Sequence, residues 1–141
     1  MSLEILYTAS ASSVGSREGH VKSSDGTLDM QLSMPKSLGG SGNPGSNPEQ
    51  LFAAGYSACF DGALNLMARM QKLKVTTKTT IDVGIGKNAE GGLDLCASIV
   101  SEIEGVDQAK ADELIAAAHQ FCPYSRATRG NIDVTLKAVV K

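Results

Sequence analysis

Three cysteines, at positions 59, 96 and 122, are the residues of this chain best suited to covalent chemistry. None belongs to a Cys-x-x-Cys pair, and only His20 and His119 could add imidazole ligands, so the sequence predicts no metal site. In a reducing compartment, three widely spaced cysteines do not indicate a structural disulfide framework. Redox chemistry would therefore have to bring two distant cysteines together in space.

A cysteine reacts as its thiolate, and apolar burial would raise the pKa of Cys59 above its ordinary value of about 8.5. A nearby cation is then required, and Arg17 and His20 are the candidates. Each residue also has a structural interpretation. A buried free cysteine is commonly a small core residue, and Glu49 in a first helical turn complements the helix dipole. Cys96 is predicted to be a partly exposed bystander.

The element that must carry Cys59 is a long helix, predicted from about Glu49 to Gln71. A Gly-rich loop at 39–48 precedes it, Asn47 can cap it, and Pro48 suits its first position. One narrow polar stripe recurs every four residues, at Ser57, Asp61, Asn65 and Arg69. Most other positions are apolar or small, which predicts a central helix that is buried on most sides.

Strands and a second helix account for the rest of the chain. Apolar residues that alternate with polar ones predict strands at 3–7, 14–22, 28–32, 80–85, 93–103 and 132–140. A turn is predicted at 87–92, and the alternation of the last two strands predicts that Leu93 and Leu136 face inward. The strand at 14–22 would carry Arg17. The second helix is predicted from a cap at Asp107 to Phe121, with Cys122 at its buried edge and Pro123 helping to end it. No repeat or linker interrupts the pattern, so residues 1–141 are interpreted as one α+β domain.

Helix length bears on how Glu49 could assist Cys59. Ten residues of continuous helix place their backbones about 15 Å apart, farther than one carboxylate side chain reaches. A contribution from Glu49 to the Cys59 site would then come from a second copy of the chain. A helix this apolar also lacks enough sequence around it to be covered within one protomer. Both arguments favour a homodimer.

Charge and hydropathy exclude several classes of protein. The chain has 13 basic and 15 acidic residues and a net charge of −2, without a basic block that would indicate nucleic-acid binding. The first residues lack the features of a secretory signal, and no apolar run approaches the ~20 residues that a membrane span needs. The expected location is the cytoplasm.

Two long motifs resemble those of a known family. The stretch NPEQLFAAGYSACF, residues 47–60, is similar to the central signature of the organic hydroperoxide resistance (Ohr) family, a branch of the OsmC-like superfamily. Residues 119–132, which contain CPYSRATRGNI, resemble the second cysteine motif of that family, and YTAS, SSDG and LGG are similar as well. The resemblance spans essentially the whole chain.

The resemblance implies a fold and a set of roles. It implies an OsmC-like fold, in which antiparallel sheets pack around a long buried central helix and a second helix, assembled as an intertwined homodimer. Cys59 matches the peroxidatic cysteine and Cys122 the resolving cysteine. Arg17 matches the arginine that supports the thiolate, and Glu49 the acid that orients that arginine. The family has no metal or organic cofactor and is recharged by dihydrolipoyl groups.

The resulting hypothesis is a thiol peroxidase that reduces organic hydroperoxides and is recycled by dihydrolipoamide or a lipoylated protein. Apolar residues near Cys59, namely Phe52, Phe60 and Met67, are expected to line the substrate pocket. Two alternatives stay open: a broader OsmC-type peroxidase, and a non-catalytic redox sensor or small-ligand binder that uses the same pocket.

Overall fold

The computed structural model describes residues 2–141, which divide between Pro48 and Glu49 into two units. The first unit holds an antiparallel sheet of β1 (Ala11–Val14), β2 (His20–Ser23) and β3 (Asp29–Gln31), in that order. The second unit holds three helices and a second three-stranded sheet. An α+β architecture is thus confirmed, whereas the interpretation of residues 1–141 as one domain stays a prediction.

The first unit departs from the sequence prediction in two places. Residues 2–10 form no strand, and Leu3, Ile5, Leu6 and Tyr7 are 67–89% exposed. Alternation favours a strand only where a second layer covers its apolar face, and these side chains are uncovered in the single chain. The strand predicted at 14–22 is also wrong, because Gly15 and Ser16 have positive φ values of 83° and 58°.

A 3-10 helix, Ser16–Glu18, therefore separates β1 from β2 and carries Arg17. The carboxylate of Glu18 fixes this turn, because it accepts hydrogen bonds from the backbone N–H groups of Met34, at 3.1 Å, and Ser41, at 3.3 Å. These bonds, that from Ser41 first, lower the pKa of Glu18. Arg17 consequently belongs to a tight turn and not to a strand.

The second unit begins with α1, whose bounds, Pro48–Met70, confirm the predicted helix to within a residue. The elements that follow are β4 (Thr76–Lys87), β5 (Leu93–Glu104), α2 (Gln108–Phe121), α3 (Pro123–Thr128) and β6 (Val134–Val140). Asp107 caps α2 as predicted, because its carboxylate accepts the N–H of Lys110 at 2.9 Å. The short helix α3 is not predicted by the sequence.

The second sheet has the order β4-β5-β6. Strands β4 and β5 are antiparallel across the predicted turn at 87–92, but β5 and β6 are parallel. The expectation of wholly antiparallel sheets is therefore wrong. The chain leaves β5, crosses over through α2 and α3, and returns in the same direction, as a parallel pair requires.

The hydrophobic core of this unit lies among α1, β5 and α2. From α1 it takes Tyr56, Phe60, Ala63, Leu64 and Ala68, which share one helix face. Around them lie residues of the sheet and of α2: Ile81, Ala97, Ile99, Ile103, Ala111, Leu114, Ile115, Ala118 and Ala138.

Burial differs from the sequence prediction at the edges of this core. Ala54, Ala58 and Gly62 on α1 are exposed, so the prediction that α1 is buried on most sides is wrong for the single chain. The single chain supplies too few elements to surround the helix. Leu93 and Leu136 were expected to face inward but are 60% and 36% exposed, Leu93 because it adjoins the turn at the sheet's end.

Hydrogen bonds fix α1 against the second sheet. The Asp61 carboxylate accepts a hydrogen bond of 2.8 Å from the Thr79 hydroxyl, and the Asn65 amide donates one of 2.8 Å to the Thr77 hydroxyl. Thr79 also bonds the fully buried Ser101 of β5 at 2.8 Å. Two members of the predicted polar stripe are therefore structural contacts to β4. No helix within residues 2–141 is long and apolar enough to cross a membrane.

Candidate active site

Cys59 and Cys122, 63 positions apart in the sequence, meet in the second unit. Their sulfur atoms lie 3.5 Å apart, with the Cys122 thiol donating toward the Cys59 sulfur. Cys122 is fully buried and Cys59 is half-buried in the middle of α1. The two cysteine side chains are thus in direct contact.

The junction of α2 and α3 determines where Cys122 lies. Its N–H donates to Ala118 as α2 ends, at 2.8 Å, and its carbonyl accepts the N–H of Arg126 as α3 begins, at 2.9 Å. Pro123 occupies the first position of α3, where its missing N–H costs nothing. Between the helices Cys122 has φ −58° and ψ 124°, so the chain bends at the residue that presents its thiol to α1.

The surroundings of Cys59 favour its neutral form. Burial is the main cause that raises the pKa of the Cys59 thiol, and the hydrogen bond from Cys122 raises it further. The backbone N–H of Tyr124, at the amino end of α3, bonds the Cys59 sulfur and lowers the pKa, but the net direction is upward. A reactive thiolate at this position needs an additional positive group.

Aromatic side chains adjoin the thiol pair. The Phe52 ring stacks on Tyr124 with centroids 6.2 Å apart, and Tyr56 lies 5.7 Å from both rings. Gly55 leaves room for Tyr124, since a Cβ there would lie 3.1 Å from the Tyr124 hydroxyl oxygen, closer than an ordinary contact. No sequence pattern assigned Tyr124 to the site, although its place two residues after Cys122 was a usable signal.

The residues expected to line the pocket occupy different depths. Phe52 and Met67 are partly buried against the core, whereas Phe60 is fully buried within it. Phe60 packs toward Tyr56, with ring centroids 6.5 Å apart.

A second contact joins the same two segments. The Tyr56 hydroxyl lies 2.7 Å from the Ser125 hydroxyl and 3.4 Å from that of Thr128. Tyr56 and Ser125 are fully buried, and Thr128 is 7% exposed. Sequence reasoning missed this pair, because no local pattern connects residues that are 69 positions apart.

The remaining candidates have defined places in their own units. Arg17 lies in the 3-10 helix of the first unit, and Glu49 lies in the first turn of α1. Because α1 is continuous, Glu49 and Cys59 are separated by about 15 Å along its axis. The His20 imidazole is hydrogen-bonded to the Asp29 carboxylate. Cys96 is exposed on β5, in agreement with its predicted exposure.

His119 lies one turn before Cys122 on α2. The Arg129 guanidinium donates to the His119 carbonyl, and among residues 2–141 no hydrogen-bond partner reaches the buried Nδ1 atom of His119. Burial, and secondly the charge of Arg129, lower the pKa of His119. Both effects favour the neutral imidazole. Within the described residues no group of three or more His, Cys, Asp or Glu side chains could hold a metal ion.

The fold and the thiol pair match a defined class of proteins. The family described as OsmC-like protein matches residues 39–137, which include both cysteines and all of α1. This is more than half of the chain, so the chain belongs to the OsmC-like family.

Relatives narrow the assignment. An organic hydroperoxide resistance protein of Xanthomonas axonopodis pv. citri is 52% identical over 135 residues, covering 94% of each chain. A crystal structure of such a protein from Elizabethkingia anophelis, with crystallant-derived thiocyanate bound, has a TM-score of 0.93 and 48% identity, covering 99% of this chain and 100% of that one. Within the OsmC-like family, the chain belongs to the organic hydroperoxide resistance proteins, as its sequence motifs predicted.

A third relative carries a ligand. The structure of an organic hydroperoxide resistance protein from Vibrio cholerae has captopril bound in one of its active sites. It is 42% identical to this chain, with a TM-score of 0.91, and the match covers 98% of this chain and 95% of the Vibrio cholerae chain.

Proposed function

We propose that this protein is a peroxidase that reduces organic hydroperoxides to alcohols, with Cys59 as the attacking residue and Cys122 as the resolving residue. The observation that carries the proposal is the 3.5 Å separation of the two sulfur atoms. Reacting groups held at about 3–3.5 Å are in near-attack geometry. A disulfide needs a bond of about 2.05 Å, so the sulfurs have only roughly 1.5 Å left to close.

Activation of Cys59 is the first requirement. Burial and the neighbouring thiol raise its pKa, so a cation must offset them at neutral pH. We assign this role to Arg17, oriented by Glu49, on the basis of the family motifs. Since about 15 Å of helix separates Glu49 from Cys59 of the same chain, we propose that Glu49 acts in a homodimer, on the site of the partner.

The proposed cycle has three chemical steps: oxidation of Cys59, formation of the disulfide and its reduction. The Cys59 thiolate attacks the distal oxygen of the hydroperoxide, the O–O bond breaks, and the alkoxide takes a proton to leave as an alcohol. Cys59 becomes a sulfenic acid, having given up two electrons. Cys122 attacks this sulfur, an S–S bond replaces the S–O bond, and water leaves. A dithiol of the dihydrolipoyl type reduces the disulfide by exchange and becomes a cyclic disulfide itself.

The lining of the site favours an organic substrate. Phe52 and Met67 are partly buried apolar side chains on α1, before and after Cys59, while Phe60 backs them from the core. Burying an apolar tail gains about 25 cal/mol per Å², a gain that hydrogen peroxide cannot obtain. The captopril in an active site of the Vibrio cholerae relative supports a site that admits an organic molecule.

Steady-state turnover tests the proposal. Reduced protein is mixed with cumene hydroperoxide and dihydrolipoamide, and peroxide loss is followed over many equivalents. Wild-type protein should sustain turnover, Cys59→Ser should show none, and Cys96→Ser, which alters the exposed thiol of β5, should match wild type.

Other outcomes separate the alternatives. Normal turnover by Cys59→Ser would refute the assignment of Cys59. If peroxide consumption stops at one equivalent although dihydrolipoamide is present, the protein is a redox sensor and not an enzyme. Equal rates with cumene hydroperoxide and hydrogen peroxide would favour the broader OsmC-type peroxidase.

A further inference from the structure

Two side-chain contacts join α1 to the α2–α3 junction, and the residues that make them are three positions apart in each segment. Tyr56 precedes Cys59 by three residues on α1, so their side chains lie on the same helix face. Ser125 follows Cys122 by three residues, at the third position of α3. The sulfur–sulfur contact of 3.5 Å and the hydroxyl–hydroxyl contact of 2.7 Å therefore connect the same two segments side by side.

Burial shields the contact between the two hydroxyl groups from water. Tyr56 and Ser125 have no exposed surface, so water does not compete for their hydroxyl groups. Thr128 completes the group: its hydroxyl donates to the Ser125 carbonyl at 3.1 Å and lies 3.4 Å from the Tyr56 oxygen. If α3 moved away from α1, both the Tyr56 and Ser125 hydroxyls would be buried without this bond, which is unfavourable. The bond thus resists displacement of α3 and of the thiol at its start.

We propose that Tyr56 and Ser125 are positioning residues for the disulfide step, holding the Cys122 thiol at attack distance from Cys59. The inference deepens the proposed function and rests on it. In that step Cys122 sulfur forms a bond to the Cys59 sulfenic sulfur, the S–O bond breaks, and hydroxide leaves with the thiol proton as water. Neither hydroxyl touches the reacting atoms. Their effect is to raise the effective concentration of one sulfur at the other.

The Cys59–Cys122 disulfide equilibrium tests this directly and needs no peroxide. Protein is equilibrated with mixtures of reduced and oxidised dithiothreitol, and the disulfide fraction is measured by thiol alkylation and mass spectrometry. Tyr56→Phe should lower the equilibrium constant for the disulfide by about tenfold, making the reduction potential about 30 mV less negative. Ser125→Ala should have the same effect. In the double variant the equilibrium constant should fall no further than in either single variant, because all three variants lack the same hydrogen bond.

A matched control separates positioning from stability. Thr77→Val removes the hydroxyl that accepts the 2.8 Å hydrogen bond from Asn65 of α1. Asn65 lies six residues after Cys59, about 9 Å farther along the helix axis. This variant should be destabilised in urea but should keep the wild-type disulfide constant. A second measurement is single turnover with cumene hydroperoxide, in which Tyr56→Phe should prolong the life of the sulfenic acid that dimedone traps.

The outcomes are distinguishable. A disulfide constant unchanged in both Tyr56→Phe and Ser125→Ala overturns the inference and leaves the proposed function intact. An equal shift in Thr77→Val also overturns it, since general destabilisation would then explain the effect. Failure of the wild-type protein to form the Cys59–Cys122 disulfide at any ratio would refute the resolving role of Cys122 itself, and with it both proposals.

Discussion

Replacing Cys122 by serine isolates the resolving step. Cys122 is fully buried, and serine is close to it in shape and keeps a donor toward the Cys59 sulfur, so the fold should survive. Serine cannot form the disulfide. Oxidation of Cys59 to the sulfenic acid should therefore proceed, whereas the intramolecular disulfide can no longer form.

The magnitude follows from the contact distance. Well-oriented intramolecular groups reach effective molarities of about 10⁵–10⁸ M, whereas short flexible tethers give about millimolar values. Taking ~1 M, between these limits, for a thiol at 3.5 Å, an external dithiol at ~1 mM would resolve the sulfenic acid ~10³-fold more slowly. Steady-state turnover of Cys122→Ser should fall by about that factor if resolution becomes rate-limiting.

The assay compares what accumulates. Without reductant, wild-type protein and Cys122→Ser should each consume one equivalent of cumene hydroperoxide. Wild-type protein should then contain a disulfide, whereas the variant should hold a sulfenic acid that reacts with dimedone. Turnover of Cys122→Ser at the wild-type rate with dihydrolipoamide would refute the reasoning, because it would mean that the thiol in contact with Cys59 has no part in the cycle.

Two further predictions concern stability and are measured by urea unfolding. His119 has a lowered pKa in the fold, through burial first and Arg129 second, so its contribution to stability is present above the unfolded pKa of about 6.5 and is lost as pH falls through the lower folded pKa. The free energy of unfolding of His119→Gln should accordingly fall less than that of wild type between pH 7.5 and pH 5, and equal losses would contradict the assignment. Asp107→Ala removes the bond to the Lys110 N–H and should cost about 1 kcal/mol; a change near zero would mean that the cap contributes nothing.

Local signals predicted much of the second unit. The helix start at Pro48, the cap at Asp107 and the turn at 87–92 each depend on a few adjacent residues, and the structure places all three as expected. The contact between Cys59 and Cys122 depended on the family motifs, because their separation of 63 residues lies outside any local pattern.

The features that the sequence did not reveal are either very short or long-range. Helix α3 has six residues, too few for an apolar period to be recognised. The parallel pairing of β5 with β6 and the bond between Tyr56 and Ser125 connect distant parts of the chain. The segment at 3–7 alternates as a strand would, yet its apolar side chains are exposed in the single chain, so the pattern alone could not establish pairing.

The parallel arrangement of β5 and β6 has a consequence for how the protein acquires its chemistry. Cys122 lies inside the crossover that joins these two strands, so it is placed by a pairing between residues far apart in sequence. Such pairings close long loops and form slowly, whereas a helix such as α1 can form from local contacts. During folding we expect Cys59 to reach its helix before the second thiol arrives beside it. A newly made chain would thus pass through a period in which Cys59 lacks its neighbouring thiol and can undergo exchange with disulfides of other molecules, until β6 pairs with β5.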